Sequence, residues 1–131
     1  MPKPVARGAL SESELEVLKV LWDEGAGTVR RVNEMLHRRG KRWAYTTVLT
    51  LLHRLQTKGW VGSDTSGAAH VFRAAADRDQ WLATQLQTLA DQACGGESAP
   101  LVLALVHKGG YSPQQLADFR RLLDRLEGKR K

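Results

Sequence analysis

Hydrophobic positions recur at helical spacing through the first part of the chain. Ser11 and Glu14 form a capping box, in which the serine hydroxyl accepts from the backbone of Glu14 and the glutamate carboxylate reaches back. An apolar stripe follows this cap: Leu15, Leu18, Leu21 and Trp22. A second helix is predicted from Thr28, as its N-cap, to Gly40. Two amphipathic helices separated by a short glycine-containing turn are therefore expected.

A third helix is predicted from about Ala44 to Lys58, before the helix-ending Gly59. Four apolar residues fall within one arc of about 100° on a helical projection that starts at Tyr45, namely Val48, Leu51, Leu52 and Leu55. The opposite arc is polar and carries Thr46, Thr47, Thr50, His53, Arg54 and Thr57. Threonine is a mediocre helix former, so several on one face favour a recognition surface. An ordinary amphipathic helix with a threonine-rich exposed face is the alternative.

The period changes after the third helix. Trp60–Val61 and His70–Arg73 are short β-prone runs, separated by the turn-rich segment Asp64–Gly67. These runs predict a two-stranded hairpin. Three helices followed by a hairpin is the element order of a winged helix-turn-helix domain, with the hairpin as its wing.

The C-terminal part is predicted to be a small helical module. The composition shifts at Ala74–Asp77, which places a winged helix at 7–75 and the module at 76–131. A fourth helix, an apolar segment opened by Pro100 at N1, and a helix opened by a second capping box at Ser112 follow. That last helix carries an apolar stripe of Leu116, Phe119, Leu122, Leu123 and Leu126. So short a module cannot bury this stripe by itself, which favours packing against a second copy in a homodimer.

Basic residues are concentrated around the third helix. The chain has 20 Lys and Arg against 14 Asp and Glu, and residues 28–58 hold 8 basic residues and a single acid, Glu34. Such a concentration attracts a polyanion, most commonly nucleic acid, although a solvated basic face is the alternative. Small hydroxyls on the third helix would allow close approach to a DNA major groove, while basic residues at its ends would meet phosphates.

Several other classes of protein are not expected. The lone Cys94 excludes an internal disulfide and a multi-cysteine zinc site. The histidines (His37, His53, His70 and His107) lack metal-ligand spacing, and no glycine-rich phosphate loop is present. No apolar run approaches the roughly 20 residues that cross a bilayer, and the N-terminal residues lack the apolar core of a signal peptide. We therefore expect a cytoplasmic protein that is not an enzyme and uses no cofactor or metal.

The motifs resemble those of the penicillinase-repressor family, the BlaI, MecI and CopY type of winged-helix repressor. The most specific segment is the Tyr-Thr-Thr-Val stretch of the third helix. The resemblance covers nearly the whole chain and rests on Leu10–Leu18, Leu21-Trp22, Thr28–Arg30, Ala44–Leu52, Arg54-Leu55 and Lys58-Gly59. It implies a homodimer that binds a palindromic operator in double-stranded DNA and represses the genes behind it. The tail Leu116–Leu126 is similar to the dimerisation helix of the family.

The resemblance also implies how such repressors are released. In the β-lactamase branch a membrane sensor responds to β-lactam, and the repressor is cleaved in its dimerisation region. That bond maps near Ala104-Leu105, where this chain lacks the asparagine-phenylalanine pair of the branch, which argues against cleavage there. The copper-responsive branch carries a C-terminal cysteine cluster, which a chain with Cys94 alone cannot provide.

The sequence therefore predicts a DNA-binding transcriptional repressor. The wing carries Asp64 and no Lys or Arg between Trp60 and Phe72, so strong contacts from wing to phosphate are not expected. Two alternatives from other classes are a protein-binding adaptor and an RNA-binding module. In the favoured interpretation, the residues that reach the groove are Tyr45, Thr46, Thr47, Thr50 and Arg54, and those that contact phosphates are Lys41, Arg42 and Lys58.

Overall fold

The computed structural model describes residues 8–129, and the three predicted N-terminal helices are present in it. They are α1 (Glu12–Glu24), α2 (Val29–Arg38) and α3 (Tyr45–Thr57). The capping box of α1 is formed in both directions, since the Ser11 hydroxyl accepts from the Glu14 amide and the Ser11 amide donates to the Glu14 carboxylate. Local capping chemistry therefore fixes where the first helix begins.

A three-stranded antiparallel sheet completes this part of the fold. Its strands are β1 (Gly27–Thr28), β2 (Val61–Asp64) and β3 (Val71–Ala74), in the order β1-β3-β2. The β2–β3 hairpin confirms the predicted wing. The two-residue β1 was not predicted, because so short a strand leaves no periodic signal in the sequence. It pairs Gly27 with Phe72, and so ties the turn between α1 and α2 to the base of the wing.

The core lies where the apolar faces of α1, α2 and α3 meet the sheet. Burying one leucine contributes about 1.5–3 kcal/mol, so the shared core stabilises all three helices together. Trp60 is buried at the start of the wing, and its indole N–H donates to the Gly8 carbonyl at 2.8 Å. The largest fully buried apolar side chains are Trp60, Phe72, Leu18, Leu36, Leu52 and Leu55. This arrangement is a winged helix, as predicted.

The segment after the wing is fixed to α1 by Trp22 and its neighbour Asp23. The indole N–H of Trp22 donates to the Ala76 carbonyl at 2.8 Å, and its ring lies 6.0 Å from that of Trp81. The Arg78 guanidinium lies over the Trp22 ring and pairs with Asp23 at 2.5 Å. The first compact unit consequently extends to Leu82, inside α4 (Arg78–Ala93), whereas the sequence placed the division at 75/76.

The second compact unit begins at Ala83 and contains the rest of α4, α5 (Ala99–Lys108) and α6 (Pro113–Lys129). The second predicted capping box is formed, because the Ser112 hydroxyl accepts from the Gln115 amide at 3.1 Å and the Gln115 side chain accepts in return. Pro100 occupies the second helical position rather than the first, since α5 begins one residue earlier. In the described part of this unit, Ala90 is the one buried residue.

Candidate nucleic-acid interface

Helix α3 divides into a buried apolar face and an exposed polar face. All four residues of the predicted apolar arc are buried, and Val48, Leu52 and Leu55 are inaccessible to solvent. The side chains of the opposite arc are exposed, and two shallow hollows there share Thr50 and Arg54 in their linings. The helix periodicity predicted from the sequence is therefore confirmed. The exposed polar face belongs to an α-helix, an element that a DNA major groove can admit.

The threonine hydroxyl groups on this face differ in whether an internal hydrogen bond holds them. The Thr50 hydroxyl donates to the Thr46 carbonyl one turn earlier, at 2.9 Å. That bond fixes the hydroxyl proton and leaves the oxygen lone pairs as acceptors toward solvent. Thr46 and Thr47 lie in the first turn, and no internal hydrogen bond engages their hydroxyls among the described residues. The face therefore offers both oriented acceptors and freely rotating donors.

The N-terminal end of α3 is open to an anion. Its N-cap residue is Ala44, which has no side chain able to accept from the first-turn amides. Tyr45 begins the helix with 54 % of its surface exposed, and Arg42 stands just before the cap. Unpaired amides at the positive end of the helix dipole favour a negative group. The predicted position of Arg42 beside a phosphate agrees with this electrostatic environment.

Two side chains of α2 hold the turn that precedes α3. The Asn33 amide donates to the Trp43 carbonyl at 3.0 Å, and Nε2 of His37 lies 3.0 Å from the same oxygen. Asn33 and His37 are four residues apart and so project from one face of α2. Sequence reasoning missed this pair, because its target is a backbone carbonyl and leaves no mark in the sequence. We call this contact the α2 clamp.

The cations of the basic segment differ in whether they are neutralised. Arg39 pairs with Asp23 at 3.1 Å and with Glu24 at 3.5 Å. Lys41, Arg42 and Arg54, in contrast, form no ion pair with any residue between 8 and 129. Three of the cations predicted to face DNA therefore keep an uncompensated charge.

Lys58 is different from those three cations. Its ammonium group lies 2.7 Å from the Glu14 carboxylate and 2.9 Å from the Ala9 carbonyl. Glu14 is only 1 % exposed. Burial raises the pKa of Glu14, but the hydrogen bonds from Lys58 and Ser11 outweigh burial and hold that pKa below its ordinary value. Lys58, which the sequence predicted to contact a phosphate, forms in this structure an ion pair that joins the end of α3 to α1.

The wing carries an acidic residue at the end of β2 and is joined to α3 through the neighbouring residue of that strand. The Asp64 carboxylate accepts from the Ser66 amide at 2.9 Å, and this bond lowers the pKa of Asp64. The Gln56 side-chain amide donates to the Ser63 hydroxyl at 2.7 Å, which joins the end of α3 to β2. The wing is thus held beside α3 with a charged carboxylate at the end of β2, in agreement with the weak phosphate attraction expected from the sequence.

Helices α5 and α6 expose a continuous apolar surface in the second unit. Phe119 packs edge-on against Tyr111 with ring centroids 5.0 Å apart, and α5 and α6 enclose a groove of about 250 Å³. The groove is lined by Val102, Leu105, Val106, Tyr111, Phe119, Leu122 and Leu123. Of the predicted dimerisation stripe, Leu116 is half-buried, while Phe119, Leu122, Leu123 and Leu126 are 38 %, 47 %, 63 % and 50 % exposed. Exposed apolar patches are commonly interaction surfaces in proteins, and the predicted dimerisation stripe lies on such a patch.

Comparison with known proteins identifies the family. The family model described as "Penicillinase repressor" matches residues 10–125, which takes in α3 and most of α6. The chain belongs to the penicillinase repressor family. A penicillinase repressor from Bacillus licheniformis is 22 % identical over 122 residues, covering 93 % of this chain and 94 % of that protein. An uncharacterized 16.5 kDa protein in the ptsI 3' region of Latilactobacillus sakei is 24 % identical over 114 residues, which cover 87 % of this chain and 77 % of that protein.

Membership of the penicillinase repressor family confirms the resemblance and places the chain among regulators of transcription rather than in a family of enzymes. Ala104 and Leu105, the pair that the resemblance suggested as the position of a cleavage site, lie within α5. No helix in residues 8–129 is long and apolar enough to cross a membrane. The same residues contain no group of three or more His, Cys, Asp or Glu side chains able to hold a metal ion.

Proposed function

We propose that this penicillinase-repressor family member represses transcription in the cytoplasm by binding a palindromic operator in double-stranded DNA as a homodimer. The observation that carries the proposal is the exposed polar face of α3, backed by a fully buried apolar face. In winged helices of this order, the recognition helix lies in the major groove. The residues proposed to reach base edges are Tyr45, Thr46, Thr47, Thr50 and Arg54.

Phosphate contacts are proposed for Lys41 and Arg42, which precede the uncapped end of α3 and carry no internal ion pair among the described residues. Backbone contacts of this kind set the register of a protein on DNA, while base contacts provide sequence discrimination. Lys58 supports the interface indirectly, since its pairing with Glu14 fixes the C-terminal end of α3 to α1.

The homodimer is proposed to form through the exposed apolar residues of α6. A second copy would cover this stripe and bring two recognition helices onto one operator. Half-sites about one helical turn apart, or a multiple of it, are then expected. Release by a protease linked to a membrane sensor is not part of the proposal, because Ala104-Leu105 lacks the residue pair of the β-lactamase branch.

The test is fluorescence anisotropy with a duplex from the region upstream of the protein's own gene, an unrelated duplex and an RNA, at several salt concentrations. Neutralising a phosphate-contacting cation lowers the slope of log affinity against log salt by about 0.9. We expect this change for Lys41→Gln and for Arg42→Gln. Arg39→Gln is the matched control, because it removes the same charge from the same segment but from a guanidinium already paired with Asp23 and Glu24.

A salt-independent affinity, or equal slopes for the Arg42→Gln and Arg39→Gln variants, would contradict the proposed phosphate contacts. Preference for RNA over both duplexes would favour the RNA-binding alternative. A chain that binds none of the three nucleic acids would leave the protein-binding adaptor as the better interpretation.

A further inference from the structure

A groove lies on the wing side of α3, beside the residues proposed to reach base edges. Its volume is about 440 Å³, and the start of α2, the stripe of α3 next to the wing, and the N-terminal side of β3 form its walls. The polar side chains of its lining are Thr28, Arg30, Tyr45, His53 and His70. His53 and His70 are not among the residues proposed above to contact bases or phosphates.

The backbone explains why these residues meet. Tyr45 and His53 are two helical turns apart and share one stripe of α3. His70 and Phe72 alternate along the wing and therefore project to the same side of the sheet. The pairing of β1 with β3 sets Thr28 opposite Val71 and so brings the start of α2 to the same place.

The two imidazoles lie against one buried ring. His70 stacks on Phe72 with centroids 4.4 Å apart, and His53 lies 6.2 Å from the same ring at a tilt of 53°. Phe72 is fully buried, while both histidines are exposed. The core therefore supports the two rings from one side and leaves both side chains exposed at the groove.

The charges around the groove favour an anion. Arg30 is the one permanent cation of its lining, and its side chain is 86 % exposed, 3.5 Å from Glu34. The Asp64 carboxylate on the neighbouring strand is bonded to the Ser66 amide. The other titratable or charged residues on α2, α3 and β3 are Arg31, His37, Arg38, Tyr45, Arg54 and Arg73. Between Trp60 and Phe72 the wing has no Lys or Arg, so His70 is its one group there able to become a cation.

We propose that this groove binds a phosphate of the DNA backbone, with His53 and His70 as hydrogen-bond donors, and that operator binding takes up protons there. The inference rests on the proposed function. Histidine is the side chain that gains its charge between about pH 8 and pH 5, and a bound phosphate favours the charged form. By reciprocity, protonation strengthens DNA binding as much as DNA strengthens protonation. His70 thereby supplies a positive charge to the part of the wing between Trp60 and Phe72, and His53 supplies one on the facing stripe of α3.

The test measures affinity for the upstream duplex at about pH 6 and about pH 8, over the same series of salt concentrations at each pH. Asp and Glu keep their charge over this pH range. The wild-type affinity is expected to rise on acidification. The salt slope should be steeper at the lower pH by up to about 1.8, at about 0.9 for each protonated histidine. A His53→Gln/His70→Gln variant should lose both effects. His107→Gln, a change in α5 outside the groove, should retain them.

Calorimetry on the unaltered protein, in two buffers of different ionisation enthalpy, measures the proton uptake directly and needs no variant. Uptake on binding duplex supports the groove, and binding without uptake overturns it. Duplex binding with the same pH dependence in the double variant also overturns the groove but leaves the repressor proposal intact. Absence of duplex binding at both pH values overturns the proposed function itself.

A last arm separates DNA phosphate from free phosphate. Inorganic phosphate, added at matched ionic strength, should displace the duplex no better than chloride does. If phosphate displaces duplex from the wild type specifically and not from the double variant, the groove is a site for the free anion, and its assignment to the DNA backbone is wrong.

Discussion

Among single residues, Glu14 shows how far a tertiary partner can change the role of a side chain. A glutamate in a first turn is ordinarily explained by the helix dipole. Here the Glu14 carboxylate is buried, bonded to Lys58 at 2.7 Å, and has one oxygen, Oε2, without a hydrogen-bond partner in the described residues. Such a group depends on its cation, because a buried charge without a partner is costly.

Lys58→Met should therefore destabilise the protein more than Glu14→Gln. Loss of the ammonium leaves the buried carboxylate uncompensated, at a cost of about 1–3 kcal/mol, whereas glutamine keeps the capping-box bond to Ser11. Urea denaturation measures the difference. The double variant Glu14→Gln/Lys58→Met should be more stable than Lys58→Met alone, and a further loss of stability would contradict the pairing.

The lowered pKa of Glu14 also predicts a dependence of stability on pH. A carboxyl group whose pKa is lower when folded stabilises the protein fully above the unfolded pKa, about 4.3, and the contribution disappears as pH falls through the folded value. Asp23, bonded to Arg78, and Asp64 have lowered pKa values and act in the same direction. The urea concentration at the unfolding midpoint should decrease as the pH is lowered below about 4.5. This decrease should be smaller in Glu14→Gln than in the wild type. Equal pH profiles for the two proteins would exclude a contribution from Glu14.

The threonines of α3 provide a test of sequence reading. Thr46→Ala and Thr50→Ala should each weaken operator binding by about 1–3 kcal/mol where a base contact is lost, and should leave binding to unrelated DNA nearly unchanged. Thr88→Ala is the matched control, since the Thr88 hydroxyl donates to the Thr84 carbonyl as that of Thr50 does to Thr46. Equal losses on operator and unrelated DNA, or a large fall in Tm, would show that these threonines are not readers.

At the scale of elements, the position of α3 depends on contacts at both of its ends with residues of α1 and α2. Its apolar arc docks the helix on α1 and α2, but the N-cap Ala44 offers no capping bond. The α2 clamp on the Trp43 carbonyl instead fixes the turn that leads into it. The ion pair of Lys58 fixes the other end.

Removal of the α2 clamp should weaken DNA binding more than it weakens folding. Asn33→Leu replaces the donating amide with an apolar side chain of similar size, at a stability cost of about 0.5–1.5 kcal/mol. The turn that carries Lys41 and Arg42 is then less firmly held and can shift. Operator affinity and the salt slope should both fall. His37→Gln should be close to wild type, because an amide can donate in place of Nε2. Unchanged DNA binding by Asn33→Leu would show that the clamp has no role in positioning.

At the scale of the whole molecule, the exposed apolar surface of the second unit is the basis for the proposed homodimer. Leu122 and Leu123 are 47 % and 63 % exposed in the single chain, although burying a leucine is worth about 1.5–3 kcal/mol. Coverage of this surface by a second copy would gain that energy and join two winged helices into one operator-binding particle. Repression would then depend on dimer formation, because a monomer keeps the contacts of one half-site.

Leu122→Asp should therefore give a folded protein that sediments as a monomer and has lost operator affinity far beyond any change in Tm. Arg120→Gln is the control, since it changes the net charge by the same amount at an exposed position of α6 outside the apolar stripe. A wild-type chain that is monomeric at micromolar concentration would contradict the dimer. So would a Leu122→Asp variant that binds the operator as tightly as the wild type.

The sequence by itself determined the features that depend on local periodicity and capping. The Ser11 and Ser112 capping boxes, the buried arc of α3 and the order of three helices and a hairpin were all predictable, because each arises from residues a few positions apart. The same motifs carried the resemblance to the penicillinase repressor family. The exposed threonine face followed from the same projection.

The tertiary structure alone decided the contacts between distant residues. The pairing of Glu14 with Lys58 and the bond from Trp22 to Ala76 span 44 and 54 positions. The clamp on Trp43 and the strand β1 depend on backbone groups, which have the same chemistry at every position and leave no signature. Side-chain periodicity reports which face of an element is buried, but only packing decides which of the charged groups outside that face finds a partner. Lys58 and Arg54 look alike in the sequence for this reason, and the fold neutralises one and exposes the other.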